Sequence, residues 1–420
     1  MLAAVIAYVD VQLFGLLATE IKSSFSLSDT SLGVLQGLAL NLSTAAALIP
    51  VGLLVDKINR VRLLMCAAGL WSLFTLLTGL STDFWQMFAC RVCVGATEAA
   101  VYPPAYSLIA DLYAPKRRGL AVSIFIAGAL VGASAATSLS GLLIKFIQTA
   151  ATAHAGALWG LPAWRLAFVA AALPGFVLLV ALAVVREPSR QERDVEVGAR
   201  GSQNSFLRFV IRERALIGRL IGATVLSQLG MTSVFFWIPS VFTRMFGFSA
   251  GRAGEWLGLM FGVGSLSGIA IGAALVALFR RRDESSAPLR VLEIGVVLAA
   301  LEVLVLPFAQ SPWFLAAAIT ALIGSIYVGI GVTPTILMAV APSDLRGRLI
   351  SLQTLILWVS TAITPPLVGA LSDRVFTGAH GLVLAFSAVA IPCSLLAPLL
   401  LWGARGLFDR SRAAAPLAAN

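Results

Sequence analysis

Charge is scarce in this 420-residue sequence: Asp, Glu, Lys and Arg together make up 12% of it, about half the roughly 25% usual in soluble domains. With 59% hydrophobic side chains and a mean hydropathy of +0.93, that scarcity excludes an ordinary soluble enzyme. Histidine is scarcer still. His154 and His380 are the only two, both fall in loops between apolar runs, and nothing joins them to a nucleophile, so a membrane enzyme is not expected. The four cysteines, Cys66, Cys90, Cys93 and Cys393, lie inside apolar segments and read as small hydrophobic residues, without a disulfide framework. No G-x-x-x-x-G-K-[ST] loop occurs, so no P-loop nucleotide site is present, and neither cofactor nor metal is expected. The 30 basic residues against 20 acidic ones could suggest nucleic acid, but they sit in short loops where membrane topology explains them better. No basic leader and small-residue cleavage site precede the first apolar segment, so no signal peptide is read.

What the sequence has in abundance is apolar runs of about 20 residues, the length that crosses a bilayer as a helix. They do not alternate apolar and polar residues as barrel strands do. Twelve spans are expected, near 2–20, 32–55, 61–80, 84–110, 119–145, 163–185, 217–243, 251–279, 288–308, 312–340, 348–372 and 381–403. Alternate loops collect 23 basic residues on one side and six on the other, with Arg91 left inside a span, so both termini are expected in the cytoplasm. The one long polar stretch, Arg186 to Arg214, separates six spans from six. Phe25-Ser26-Leu27-Ser28 with Gly33 and Gly37 recurs in the second half, at one constant offset, as Phe246-Gly247-Phe248-Ser249 with Gly254 and Gly258. Arg118-Gly119, Ser123 and Gly141 recur at a second, slightly larger offset as Arg346-Gly347, Ser351 and Gly369. The expectation is an all-α membrane protein of two six-helix bundles related by a parallel repeat: 1–185, a cytoplasmic linker 186–216, 217–404 and a tail 405–420.

Three ionisable groups stand within membrane depth. Asp10 is about halfway along the first span and Glu98 about halfway along the fourth, with Arg91 two helical turns from Glu98 on the same face. Each costs at least about 2.5 kcal/mol to place there, so they should face a wet cavity or one another. Low dielectric favours a neutral carboxyl and a nearby cation favours an ionised one, so such a trio can take up and release a proton. A permanent neutralising triad that only fixes helix packing is the other reading. Glu302 reads as an interhelical hydrogen bond, and Glu20 and Asp29 as solvated groups at the ends of spans. The second half is apolar from Ile319 to Val328, which leaves Gln228, Trp237, Tyr327, Gln353 and Trp358, together with Arg91, as the expected substrate wall. Each of those aromatics could equally be ordinary packing.

Two motifs carry a resemblance. Gly52-Leu-Leu-Val-Asp56-Lys57-Ile-Asn59-Arg60-Val-Arg62 resembles the G-x-x-x-D-R-x-G-R-K signature of the major facilitator superfamily, with Asn59 at the usual glycine. The stretch Arg91-Val-Cys-Val-Gly95-Ala-Thr-Glu98 to Tyr102-Pro-Pro-Ala-Tyr106 and Asp111, with Tyr8-Val9-Asp10 and Leu35-Gln36-Gly37, resembles the spinster-like branch of that superfamily; Val11 departs from its usual arginine. The resemblance implies a secondary active transporter working by alternating access, with Asp10, Arg91 and Glu98 in proton sensing. It implies an amphipathic substrate such as a lysophospholipid or sphingoid lipid; a small organic anion or drug-like compound is the alternative. Gly52, Asp56, Lys57, Arg60 and Arg118 are expected to form a conformational latch. A monomer in a bacterial inner membrane, meeting only its substrate, protons and membrane lipids, is expected. The resemblance also implies residues ahead of Met1.

Overall fold

The computed structural model describes residues 2–153, 161–188, 202–281, 286–330, 332–342, 345–378 and 380–414. His154, positions 189–201 of the expected linker and 415–420 of the expected tail lie outside them. All elements among the described residues are helical. In chain order they are α1 (Leu2–Phe25), α2 (Asp29–Val34), a π-helical stretch (Leu35–Leu42), α3 (Ser43–Lys57), α4 (Arg60–Leu80), α5 (Phe84–Glu98), α6 (Tyr102–Leu112), α7 (Pro115–Ala153) and α8 (Ala163–Ala183). There follow α9 (Ser202–Arg212), α10 (Arg214–Phe235), α11 (Ile238–Phe246), α12 (Ala250–Arg280), α13 (Ala287–Val305), α14 (Pro312–Ile330), α15 (Thr333–Val340), α16 (Arg346–Arg374) and α17 (Gly381–Ala414). Ten segments among the described residues are long and apolar enough to cross a membrane. The fourth and fifth expected spans fall on α5 with α6 and on α7, which completes the twelve. Two boundaries differ from expectation: α9 forms where a solvated linker was read, and α17 runs past the expected end of the last span.

Local chemistry explains where the helices stop. Asn59 caps α4 by accepting the Arg62 N–H at 2.7 Å, and Asp83 caps α5 by accepting from Trp85 and Gln86. Pro103 and Pro104 lack the N–H groups that Ala99 and Ala100 carbonyls would need, so α5 ends at Glu98 and α6 starts shortly after it.

The internal repeat is visible atom by atom. Ser26 has φ +50° and Gly247, its counterpart in the second half, has φ +67°, so both turns use the left-handed region that glycine enters without strain. Just beyond each turn, Ser28 Oγ accepts from Ser31 N–H at 3.1 Å, and Ser249 Oγ from Arg252 N–H at 3.3 Å. In the other register Arg118 Nε donates to Tyr113 O at 2.9 Å, and Arg346 Nε to Ala341 O at 3.2 Å. A Cβ on Gly141 would lie 2.7 Å from Gly251 O and one on Gly369 2.7 Å from Thr30 N, which again are counterpart contacts. The same two turns of chain thus make the same bonds in both halves.

The chain divides into two compact units. The first comprises Met1–Gln191, Phe235–Gly262 and Thr361–Phe386, so it holds the whole first half together with one end each of α11–α12 and of α16–α17. One of its cores is built from Ala3, Val51, Ala68, Trp71, Ala100 and Val101. The second comprises Glu192–Val234, Val263–Ser360 and Ser387–Asn420, with a core of Leu216, Leu220, Leu292, Leu337, Leu349 and Phe408 among others.

Candidate functional site

The polar heart of the first unit lies where α1, α4, α5 and the π-helical stretch meet. Asp10 is 4% exposed and Arg91 is fully buried, and they pair directly: Arg91 Nη1 donates to Asp10 Oδ2 at 2.8 Å. The second carboxylate oxygen accepts from Thr75 Oγ1 on α4 at 2.8 Å. Arg91 Nη2 donates to Gln36 Oε1 at 3.1 Å, and the guanidinium carbon sits 4.6 Å from the centre of the Phe14 ring. Removing two charges from water is tolerable only with this density of partners. One donor is left over, since Arg91 Nε is buried and meets no hydrogen-bond partner among the described residues.

Packing fixes where α5 points these groups. Gly95 lies so close to the turn before α3 that a Cβ there would collide with Leu40 O and Ser43 Oγ. Thr44 Oγ1 ties the same place by donating to Gly95 O at 3.0 Å. Beyond it, at the last residue of α5, stands Glu98. Its carboxyl feels the charges of both Asp10 and Arg91, yet its Oε1 is buried without a hydrogen-bond partner among the described residues. An unpartnered oxygen in such surroundings is poorly stabilised as an anion. Next to it Tyr102 and Tyr106 stack at 6.4 Å, with the Phe125 ring edge-on to both at 6.1 and 5.4 Å. Asp10, Arg91 and Glu98 are therefore brought together. Gln36, Thr75 and Phe14 complete the arrangement and were not among the expected site residues; Gln36 stands in the Leu35-Gln36-Gly37 motif, and Thr75 gave no signal beyond a polar side chain within an apolar run.

The expected substrate wall is distributed between the two units. Trp237 belongs to the first unit, fully buried with its Nε1 lacking a partner among the described residues. It stands edge-on to Phe236 at 4.8 Å, and Phe236 stacks on Phe14 at 6.3 Å, so an aromatic chain leads from Trp237 to Arg91. Gln228, Tyr327, Gln353 and Trp358 belong to the second unit. There Gln353 is buried and donates to Thr224 Oγ1 at 3.2 Å, one turn of α10 before Gln228. Tyr327 and Trp358 are half-buried on α14 and α16.

Of the expected latch, Arg60 is buried among acids. It is 2% exposed, forms an ion pair with Asp111, and donates through Nε to Glu187 Oε1 at 2.7 Å and through Nη1 to Ser107 Oγ at 3.0 Å. Gly52, Asp56 and Lys57 lie exposed at the end of α3, and Arg118 bonds the Tyr113 carbonyl. Glu302 accepts from Ser325 Oγ on α14 at 2.8 Å, the interhelical bond its position suggested. Asp29 corrects an expectation. It is 3% exposed, not solvated, and its carboxylate accepts from Lys22 Nζ at 2.5 Å, Arg244 Nη1 at 2.8 Å and Ser372 Oγ at 2.9 Å.

Comparison with known proteins agrees with this architecture. A zebrafish (Danio rerio) sphingosine-1-phosphate transporter, SPNS2, is 25% identical over 389 residues, 88% of this chain and 74% of the relative. A probable 4-methylmuconolactone transporter of Cupriavidus pinatubonensis is 26% identical over 277 residues, 65% of this chain but only 60% of the relative's length. The fold is that of a bacterial homologue of the human lysosomal transporter spinster, with a TM-score of 0.77 at 22% identity over 98% of this chain and 95% of that one. The family model of the Major Facilitator Superfamily matches residues 1–357. The chain belongs to the Major Facilitator Superfamily, a family of membrane transporters and not of enzymes.

Proposed function

We propose that the protein is a proton-coupled secondary active transporter of an amphipathic organic anion, with Asp10, Arg91 and Glu98 as the coupling groups. The observation that carries the reading is the contrast between the two carboxyls around one guanidinium. Asp10 has both oxygens satisfied, by Arg91 and Thr75, whereas Glu98 has a buried oxygen with no donor among the described residues. A proton on Glu98 removes a charge that Arg91, already paired with Asp10, offsets only in part; when water reaches the site, the proton can leave. An anionic head arriving at Arg91 competes with Asp10 for the same N–H groups, which links substrate binding to protonation of the carboxyls. Aromatic faces at Phe14, Phe236, Trp237, Tyr102 and Tyr106 suit the apolar body of such a substrate.

Lysophospholipids and sphingoid-type phosphates fit this description, and similarity to a sphingosine-1-phosphate transporter along 88% of the chain supports them. A small organic acid is the second reading, supported by similarity to the 4-methylmuconolactone transporter. The working unit is a monomer in a bacterial inner membrane with both termini in the cytoplasm, as the basic loops suggest. The test is flux in proteoliposomes with an imposed pH gradient, offering a lysolipid phosphate in one set and an aromatic carboxylate in another. Uphill movement that collapses with the gradient is expected, and Asp10→Asn and Glu98→Gln should flatten its pH profile while leaving the fold intact. Flux that never passes equilibrium, or pH profiles unchanged in both variants, would remove the coupling assignment.

A further inference from the structure

At one end of the first unit the two halves of the chain meet in two pseudo-equivalent helix contacts, and their polar chemistry is very unequal. In one, the start of α2 rests against the end of α16; in the other, the start of α12 rests against α7. Backbone closeness is the same in both, as the counterpart pairs Gly369 with Thr30 and Gly141 with Gly251 show. The α2–α16 contact carries a carboxylate placed on a helix start. Asp373 Oδ1 accepts the Asp29 N–H at 3.0 Å, and Oδ2 accepts the Thr30 N–H at 2.8 Å and the Thr30 hydroxyl at 2.7 Å. Those N–H groups are two of the four that a helix start leaves without partners, and the carboxylate also complements the positive end of the helix dipole. Ser28 satisfies the next one.

Asp29 itself is then held from three directions, by Lys22 of α1, Arg244 of α11 and Ser372 of α16. Two cations and two carboxylates make a neutral cluster around a cavity of about 310 Å³ that Val241, Thr377 and Phe376 help to line. The counterpart of Asp373 in the first half, in the register that pairs Gly141 with Gly369, is Lys145. There, among the described residues, the α12–α7 contact has one ion pair, Lys145 Nζ to Glu255 Oε1 at 2.9 Å with the lysine side chain 62% exposed, and one hydroxyl bond, Ser134 Oγ donating to Gly258 O at 2.8 Å. Exposed single pairs of that kind contribute little.

We propose that the α2–α16 contact, clamped by Asp373 on the start of α2 and by the three groups on Asp29, is the principal gate at this end of the transporter, and that the α12–α7 contact parts first. Asp373, Asp29 and Arg244 are then positioning residues that set how often this end opens. Opening at this end can be followed at one fixed pH in the absence of substrate, so the variants are compared without knowing what is carried.

The test uses the purified full-length chain in detergent, with its four cysteines replaced by alanine and a reporter cysteine introduced by Val241→Cys, a buried position lining the cavity. The reaction of that cysteine with a bulky, charged maleimide reads opening. Slow labelling is expected in the reporter parent, about tenfold faster labelling in Asp373→Asn, and less than a twofold change in Glu255→Gln. Should Asp373→Asn fail to fold, Thr30→Val removes one bond to Asp373 and should speed labelling about threefold. Fast labelling in the parent, an unchanged rate in a folded Asp373→Asn or Thr30→Val protein, or an equal acceleration by Glu255→Gln would each overturn the proposal.

Discussion

In the first half, the centre of the bundle is polar; at the corresponding centre of the second half it is aliphatic. Gln36 corresponds to Leu257, which is 3% exposed, and Arg91 to Ile319, which is fully buried; Glu98 corresponds to Ile326. The same frame, with the same left-handed turns and the same serine caps, therefore carries a buried ion pair in one half and aliphatic side chains at the matching positions of the other. Apolar side chains serve the fold at least as well, because desolvating a charge pair costs about as much as its attraction returns. Under the function proposed above, the ion pair of the first half serves transport and not stability.

That contrast can be broken most forcefully by removing half of the pair. Asp10→Leu alone strands the Arg91 guanidinium and should lower stability by about 3–5 kcal/mol, whereas Asp10→Leu with Arg91→Ile and Gln36→Leu copies the second half and should recover most of the loss while abolishing transport. Thermal unfolding in detergent beside proteoliposome flux checks both, and a triple variant as unstable as the single one would mean that the polar centre is structural. A smaller effect separates the two halves at their loop cations. Arg60→Ala leaves Asp111 and Glu187 without their shared donor and should cost about 2–3 kcal/mol, while Arg281→Ala, exposed in the corresponding segment, should stay within about 0.5 kcal/mol. Equal losses in the same unfolding assay would show that Arg60 is no better held than its counterpart. The smallest effect should be the same in both halves: Ser28→Ala and Ser249→Ala each remove one helix cap and should each cost about 1 kcal/mol. Unequal costs would argue that the repeat is geometric but not energetic.

Membrane class, the twelve spans and the repeat were legible because a lipid solvent makes every polar residue in an apolar run conspicuous. The same contrast made Asp10, Arg91 and Glu98 stand out. What escaped were groups whose role is set by partners distant in sequence. Asp29 follows a serine and precedes a threonine, which reads as a solvated turn, yet its partners Arg244 and Ser372 lie 215 and 343 residues away. The Gly52 to Arg62 motif marks Arg60 but not its acids, which come from the end of α6 and the residues after α8. Thr75 is an ordinary hydroxyl until α1 places a carboxylate 2.8 Å from it. Local pattern reveals burial and period; it does not reveal which distant chain segment supplies the other half of a bond.

The interruption between Glu98 and Tyr102 has a mechanical consequence. Above it, α5 is tied through Arg91 and Gly95 to α1 and the π-helical stretch; below it, α6 is tied through Ser107 and Asp111 to Arg60. Only Ala99, Ala100 and Val101 join these two anchored rods; their N–H groups still bond the Gly95, Thr97 and Glu98 carbonyls at 3.3, 3.1 and 3.0 Å, but Pro103 and Pro104 offer the Ala99 and Ala100 carbonyls no helical donor. Flexing the rod elsewhere would break a full ladder of bonds in oil, whereas here the donors of Pro103 and Pro104 are already missing from it, so a tilt of the lower rod is delivered to the peptide units flanking Glu98.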